Sequence, residues 1–422
     1  MAKEWEDKAV ARVGSDTDTI RRQNRGLALD VLRRSGPLAR TSLAAETGLS
    51  HATITAIAAD FVGQGILKDL DEPQSDQKSR GRPAVRLGHN RDVAYALLFE
   101  LDVNRSSCSL IDYGGTMVDR IEAPLGPHTF DKIRPAVFLA EQAQRIRVRN
   151  PREAPRIVNI SASVQGILNR AGTGLTWSPI SGLAGQALGD VIGIASDLPL
   201  RLYKRGRLLA EGTRLLYPQL HDANVATVYV GSTVAMGMSF HGRNVGLSED
   251  AATEFGHMVH IPDGALCRCG TRGCIEAYAA DYGVLRAAYS VPDTAPPAPA
   301  VPYRQYVELI QSARRGERNA VHAFKMAGSA IGFGINRLMT VFDLSYIVIV
   351  GSGAEALPLM RDEIESSIAA SLVGRVHGVP RILTHGDESE PIFRGLCAKA
   401  LSEIDQSLFA PMPSTGQRPE TA

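Results

Sequence analysis

The sequence predicts an α/β protein of two or three domains, with a small helical module at its amino end. Three observations lead there. The 422 residues exceed the roughly 250–300 at which a single core stops growing. Residues 19–70 show helical spacing and turn signals. From about Val93 onward, short apolar runs alternate with helical spacing, the texture of a sheet layered with helices.

Composition narrows the classes. Lys and Arg number 46 against 45 Asp and Glu, so the chain as a whole is no general polyelectrolyte binder, although a local basic face remains open. No apolar run reaches the roughly 18 residues of a spanning helix, and the opening eight residues lack the apolar core of a secretion signal. A cytoplasmic location without a membrane partner is expected. Three of the five cysteines fall within eight residues, which reads as a metal site rather than a disulfide framework.

Taken in order, residues 1–18 are polar and expected to form a flexible tail. Residues 19–90 are expected to form the helical module, and residues 91–410 two α/β lobes, about 91–200 and 201–410. The first lobe carries strand patterns at 94–101, 107–113 and 156–162 and a helical pattern at 135–148. The second carries strand patterns at 225–230, 236–240 and 346–350, the last fed by a long helix over 320–340. Residues 291–302 (VPDTAPPAPAVP) read as an extended insertion. Residues 411–422 read as a disordered tail. The α/β texture of both halves permits an old duplication.

The amino-terminal module has a more specific reading. Leu27, Val31 and Leu32 share one face of a first helix. A short second helix ends at Gly48, a residue that tolerates positive φ. Ser50 then caps a third helix, in which Ile54, Ile57, Ala58, Phe61 and Val62 make one apolar stripe. Its other face offers His51, Thr53, Thr55, Ala56 and Ala59, small or polar throughout. This is the pattern of a helix-turn-helix whose third helix can sit deep in a major groove. Between strand patterns at 66–70 and 84–87 lies Arg80-Gly-Arg-Pro83, a cationic strip where a wing would reach a minor groove or phosphates. Residues 19–90 hold 11 Lys/Arg against 7 Asp/Glu. A three-helix core without nucleic acid, with a solvated turn for a wing, is the plainer alternative. On the first reading Ser50, His51, Thr53 and Thr55 contact bases, Arg40 contacts phosphate, and Arg80 and Arg82 contact the minor groove or backbone.

The cysteine cluster reads Glu254-Phe-Gly-His257, then Cys267-Arg-Cys269-Gly-Thr-Arg-Gly-Cys274-Ile-Glu276. Three thiolates and one imidazole complete a tetrahedral structural zinc site, with no position left for an activated water. His260 is a competing ligand. Cys108 and Cys397 lie in apolar surroundings and read as core.

This run, Glu-Phe-Gly-His followed by Cys-x-Cys-Gly-x-x-Gly-Cys-x-Glu, resembles the ROK family of sugar kinases and sugar-responsive repressors, over nearly the whole chain. The resemblance implies zinc on His257, Cys267, Cys269 and Cys274, and a ligand site of Glu254, His257 and Glu276, the histidine giving one ring nitrogen to zinc and the other to the cleft. It implies a two-lobed, actin-like (ribonuclease H-like) body with a ligand cleft between the lobes. The winged module ending in Arg-Gly-Arg-Pro resembles the repressor branch, and Gly351-Ser-Gly353-Ala the family's turn near a nucleotide base. Departures from the kinase pattern follow. The kinases' Asp-x-Gly-Gly-Thr stands here as Asp102-Val-Asn-Arg-Ser, without the glycines that admit phosphates. The second phosphate loop, Gly231–Gly237, is glycine-depleted. Counting back from Glu211 places Tyr203 where the family has its catalytic Asp and Arg205 where it has an Asn. Tyrosine, with a reference pKa of about 10, is a poor base at neutral pH. Ser178-Pro-Ile180 lacks the amide of the family's sugar contact. No kinase activity is expected.

The cleft's other wall would carry Tyr203 and Arg205, within the basic run 201–207. Three readings stay open. Arg205 pairs with Glu254 or Glu276 and fills a dead pocket; Arg205 meets an anionic sugar derivative; or Tyr203 stacks on a neutral sugar. The expected function is a homodimeric, or dimer-of-dimers, transcriptional repressor of carbohydrate genes. It would bind double-stranded operator DNA and respond to a sugar-like effector. A sugar kinase, and a regulator with an inert cleft controlled by a protein partner, are the alternatives.

Overall fold

The computed structural model describes residues 2–70, 85–186, 188, 198–244 and 254–409, with side chains described from Thr19 to Leu408. The chain opens with α1 (Ala2–Ser35), β1 (Leu38–Ala39), α2 (Arg40–Thr47), α3 (His51–Gly63), β2 (Leu67–Leu70) and β3 (Arg86–His89). The segment 1–18, expected as a separate tail, is helical from Ala2 onward. No proline interrupts residues 2–35 to stop it. α1 turns Ala28, Leu29, Val31 and Leu32 inward, while Leu27, expected on that face, is exposed. It lies just past the edge of the stripe. α2 ends at Gly48, whose φ of 70° is the left-handed stop. Ser50 Oγ accepts the Thr53 N–H at 3.1 Å and starts α3. Ile54, Ala58 and Phe61 are buried, and Ile57 and Val62 are half-buried beside them. β1, β3 and β2 form a small antiparallel sheet in that order. This head is a winged helix-turn-helix. Arg80 and Arg82, between β2 and β3, lie outside the described residues.

The body contains two five-stranded sheets. The first uses β4 (Tyr95–Leu101), β5 (Arg105–Asp112), β6 (Met117–Pro124), β7 (Ile157–Val164) and, after the short hairpin of β8 (Ile167–Leu168) and β9 (Leu175–Trp177), β10 (Leu200–Lys204). Short α4 (Thr129–Lys132) and α5 (Pro135–Arg149) make the crossover to β7. The second sheet uses β11 (Val225–Val230), β12 (Val234–Phe240), β13 (Arg243–Asn244), β14 (Tyr346–Val350) and β15 (Arg381–His385). Its helices are α6 (Arg205–Leu216), α7 (Glu276–Ala279), α8 (Asp281–Ala288), α9 (Tyr303–Arg314), α10 (Arg318–Met339), α11 (Ser352–Ala369) and α12 (Leu372–His377), and the C-terminal α13 (Ser389–Phe409) packs on α6 and against β7 and β4 of the first sheet. The strand orders are β10-β7-β4-β5-β6 and β15-β14-β11-β12-β13. Each sheet is an antiparallel meander of three strands followed by two parallel additions on the far side of the first strand. The same connectivity twice is the actin-like, ribonuclease H-like fold. The lobe boundary expected at 200/201 falls inside β10, which belongs to the first sheet. Its Leu-Arg-Leu-Tyr-Lys sequence carries two cations, which hide a strand buried at every position but Arg201. Residues 291–302 contain no regular element, and residues 411–422 lie outside the described residues. Among the described residues no helix is long and apolar enough to cross a membrane.

Each lobe has its own apolar cluster. A third runs without a break from Leu29 and Phe61 in the head, through Tyr113, to Leu401 and Ile404 on α13. His89 sits on this seam. Its ring meets Tyr113 edge-on at 5.4 Å, and Nε2 lies 3.3 Å from the Leu29 carbonyl. Burial, followed by the nearby Arg33 charge, lowers its pKa to about 3.

An unfolded histidine titrates near 6.5, so the unfolded chain binds the proton that the folded seam refuses. The stabilising contribution of neutral His89 is complete above about pH 6.5 and is lost as the pH falls toward 3. In thermal unfolding between pH 7 and 4, the His89→Asn variant will lose stability with acid less steeply than the parent, by up to one proton in slope.

Candidate functional site: a narrow cleft beside a thiolate cluster

β10 delivers three consecutive side chains to three different places. In a strand, neighbours point to opposite faces. Tyr203 therefore turns into the apolar cluster shared with α13, 4% exposed, and donates its hydroxyl to Glu403 Oε1. It does not line the cleft, contrary to its expected role. Lys204 takes the cleft side, and its Nζ lies 2.5 Å from Glu254 Oε1. Arg205 opens α6 with its guanidinium buried. Nη1 is 3.2 Å from Asp102 Oδ2 and Nη2 is 3.0 Å from Glu388 Oε1, and the group stacks 4.6 Å from the centre of the Tyr229 ring. Its carboxylate partners are thus neither Glu254 nor Glu276. Burial works against the charge on Asp102, but the Arg205 guanidinium and then the Val103 N–H outweigh it and hold the carboxyl below its ordinary range. Burial pushes Glu388 up, with Arg205 opposing.

Between the lobes lies a cleft whose polar lining includes Gln165, Lys204, Arg205, Glu254, His257 and Glu276. The void at its centre is about 40 Å³, room for a few waters and too little for a pyranose. The Lys204–Glu254 pair lies across part of its lining. Glu276 is 1% exposed. Its Oε2 accepts the Val234 N–H at 3.1 Å, and its Oε1 lies 3.4 Å from the Tyr282 hydroxyl and 3.7 Å from Cys267 Sγ. Of the two glutamates expected in the site, Glu254 is the one with a face toward the opening.

The thiolate cluster forms because the chain folds back tightly after His257. His260 and Ile261 donate their N–H groups to the Gly273 carbonyl at 2.7 and 3.2 Å. Gly273 has φ 82°, and a Cβ there would stand 1.7 Å from the Ile261 carbonyl oxygen, so no other residue fits. The donor atoms of His257, Cys267, Cys269 and Cys274 all lie within 4.8 Å of one another. Cys267 Sγ is 3.6 Å from His257 Nδ1, and Cys269 Sγ is 3.7 Å from Cys274 Sγ. A tetrahedral ion with bonds of about 2.3 Å to sulfur and about 2.0–2.1 Å to nitrogen separates such pairs by about 3.6 and 3.8 Å. The four residues therefore fit a metal ion. With Nδ1 committed to the cluster, the other ring nitrogen of His257 is left for the cleft side, where Trp177 packs edge-on at 5.1 Å. His260 lies against Tyr278 and Phe333 instead. Cys108 and Cys397 are buried elsewhere.

In the head, His51 and Thr55 are exposed on α3, and Thr53 is half-buried. Thr55 Oγ1 donates to the His51 carbonyl, and Ser50 Oγ serves as the helix cap. Arg40 is 3.5 Å from Asp69, both half exposed. Sequence reasoning missed Lys204, Asp102 and Glu388 as the ionic contents of the cleft region. Strand alternation could have found Lys204. Nothing local points to Glu388, 183 residues from Arg205.

Residues 107–394 match the ROK family model, and the chain belongs to the ROK family. It is similar to the xylose repressor of Bacillus spizizenii, 21% identical over 84% of this chain and 89% of that protein. It is also similar to the DNA-binding transcriptional dual regulator NagC of Escherichia coli K12, 22% identical over 85% and 87%. Among solved structures, a ROK family transcriptional regulator homologous to the E. coli MLC protein superposes with a TM-score of 0.74 at 21% identity, covering 92% of this chain and 98% of that one. A ROK family glucokinase from Streptomyces griseus, solved with glucose and AMPPNP, gives 0.54 at 18% identity, covering 73% and 98%.

The cluster geometry predicts one bound metal equivalent per chain. Cys274→Ser will lose it in metal analysis and lower the unfolding midpoint by several degrees, and a strong chelator will do the same to the parent. The Cys108→Ser variant will retain the metal.

Proposed function

We propose that this ROK-family chain is a DNA-binding transcriptional regulator, a repressor of carbohydrate uptake or metabolism genes. Its body is a kinase-like domain that has lost catalysis and that a structural zinc ion stabilises. The observation that carries this reading is the outward face of α3. His51, Ala52, Thr55, Ala56 and Ala59 are exposed on a helix whose other side is locked into the head core. Small residues there let a helix enter a major groove. The coverage of the relatives supports it. The regulator structure spans the head as well as the body, whereas the glucokinase matches only 73% of the chain. In the proposed complex His51, Thr53 and Thr55, with the Ser50 cap, face bases, and Arg40, Arg80 and Arg82 face phosphates or the minor groove. A homodimer would present two such heads to a near-palindromic site about one helical turn apart.

Three features speak against phosphoryl transfer. Tyr203, at the position of the family's base, is turned away and bonded to Glu403. The Arg205 guanidinium sits beside Asp102, where the kinases have their first phosphate loop. The first phosphate loop lacks its glycines, and the second, Gly231–Gly237, is depleted of them. Phosphoryl transfer relies on a proton acceptor and open, positioned charges.

The small void and the Lys204–Glu254 pair favour a second reading of regulation, in which the cleft is closed to sugars and a protein partner controls DNA release. Either way the zinc would be held by His257, Cys267, Cys269 and Cys274 as a fold-stabilising ion with no open position.

Fluorescence anisotropy with duplexes from the chain's own upstream region tests the proposal. Expected is sequence-preferring binding that weakens steeply with salt. The His51→Ala/Thr55→Ala pair will lose at least tenfold in specific affinity. Arg40→Ala will weaken all sequences alike and reduce the salt slope by about one. A coupled assay over a hexose panel will give no ATP-dependent phosphorylation. Binding that ignores sequence and salt, or turnover of a hexose, would overturn the reading.

Lys204→Ala removes the cation that occupies Glu254. Thermal shift against neutral sugars and sugar phosphates separates the two modes of regulation. A response in the variant alone marks a cleft closed by its own lysine, and a response in the parent marks an effector site.

A further inference from the structure

Arg33, near the end of α1, lays its guanidinium against Asp405 of α13, with Nη1–Oδ2 at 2.6 Å and Nη2–Oδ1 at 2.8 Å. Tyr113 donates its hydroxyl to the same Oδ1 at 2.6 Å, and the Arg33 guanidinium lies 5.1 Å from the centre of the Tyr113 ring. The side chains are only 12% and 6% exposed. A two-pronged pair withdrawn from water has one favourable geometry, and either charge left alone is strongly unfavourable. The pair therefore fixes where the head's first helix rests on α13.

The same helix is fastened to the wall of the cleft. Glu403, two residues before Asp405, accepts the Tyr203 hydroxyl through Oε1 and the Asn159 amide through Oε2 at 2.8 Å. Glu388, just ahead of α13, holds Arg205 at 3.0 Å. Lys204 lies between these two anchored residues. α13 and α6 also touch backbone to backbone. A Cβ at Gly212 would stand 1.8 Å from the Pro391 carbonyl oxygen, and one at Gly395 would stand 2.2 Å from that of Leu208. Helices packed this closely move as one piece.

We infer that Asp405 is a positioning residue for the head. α13 and α6 form a single lever, and Asp405 passes the state of the Lys204–Glu254 pair to α1 and so to α3. The inference rests on the DNA-binding reading for its consequence, but not for its detection.

The test is a double-mutant cycle with Lys204→Met, Asp405→Asn and the combined variant, each checked for metal content and far-UV dichroism. Amide exchange over residues 25–35 and 51–63 is measured without DNA, and affinity is measured for the upstream duplexes. With Asp405 intact, Lys204→Met changes exchange in the head and shifts DNA affinity at least fivefold. In the Asp405→Asn background it changes neither. Asp405→Glu restores part of the coupling, which a loss of docking alone would not predict. If Asp405→Asn fails to fold, Arg33→Lys completes the same cycle. Additive effects, or a head whose exchange ignores Lys204, would overturn the inference. If the parent binds no duplex, the DNA-binding reading fails, and the exchange cycle still decides the lever.

Discussion

The arrangement of this chain turns on one buried guanidinium. Arg205 is almost without solvent, and a charge in that position must be paired. Its partners come from far apart. Asp102 stands just beyond the end of β4, and Glu388 just ahead of α13. Meeting both brings the last strand of the first sheet, the first helix of the second lobe and the C-terminal helix to one point. Once Arg205 is set, β10 has no freedom in register, so Tyr203 faces α13 and Lys204 faces Glu254. The Lys204–Glu254 pair in the cleft lining and the anchoring of α13 both follow from that placement.

Much of this was legible in the sequence wherever the signal is local. Gly48 and Ser50 announce a stop and a cap, and both act as such. The α3 stripe repeats at helical spacing and is buried as read. The strands Val225–Val230 and Tyr346–Val350 are continuous apolar runs, and their bounds match expectation. The Cys3His cluster is compressed into a short segment whose glycines allow the fold-back. What escaped is either long-range or masked by charge. Leu200–Lys204 is buried at every position but Arg201, and its two cations disguise a strand covered on both faces. Met117–Pro124 exposes Met117 and Val118 and so lacks a clear buried face. The pairings of Arg205 with Glu388 and of Arg33 with Asp405 span too much chain for any pattern to reveal.

The thiolate cluster also reaches beyond its four donors. Arg268, between Cys267 and Cys269, extends its guanidinium to the Ser232 carbonyl at 2.5 Å and to the Ala298 carbonyl at 2.8–3.0 Å. It lies 3.9 Å from Asp281, whose pKa burial raises to about 7 against the pull of Arg268. One arginine thus ties the knuckle to the β11–β12 turn and to the proline-rich segment 291–302. A metal bound by the flanking cysteines would hold that arginine still. Its structural influence would then be felt across the cleft floor even though the ion touches no ligand.

The apolar seam from Phe61 to Ile404 has an evolutionary corollary. Regulators are often imagined as interchangeable readers joined by a string to interchangeable sensors. Here the head shares its interior with the body, so a transplant cut at Asn90 would strip Tyr113, Leu401 and Ile404 of their cover and leave Asp405 with Tyr113 but without Arg33. Shuffling such a chain means carrying the seam, α13 included, along with the graft.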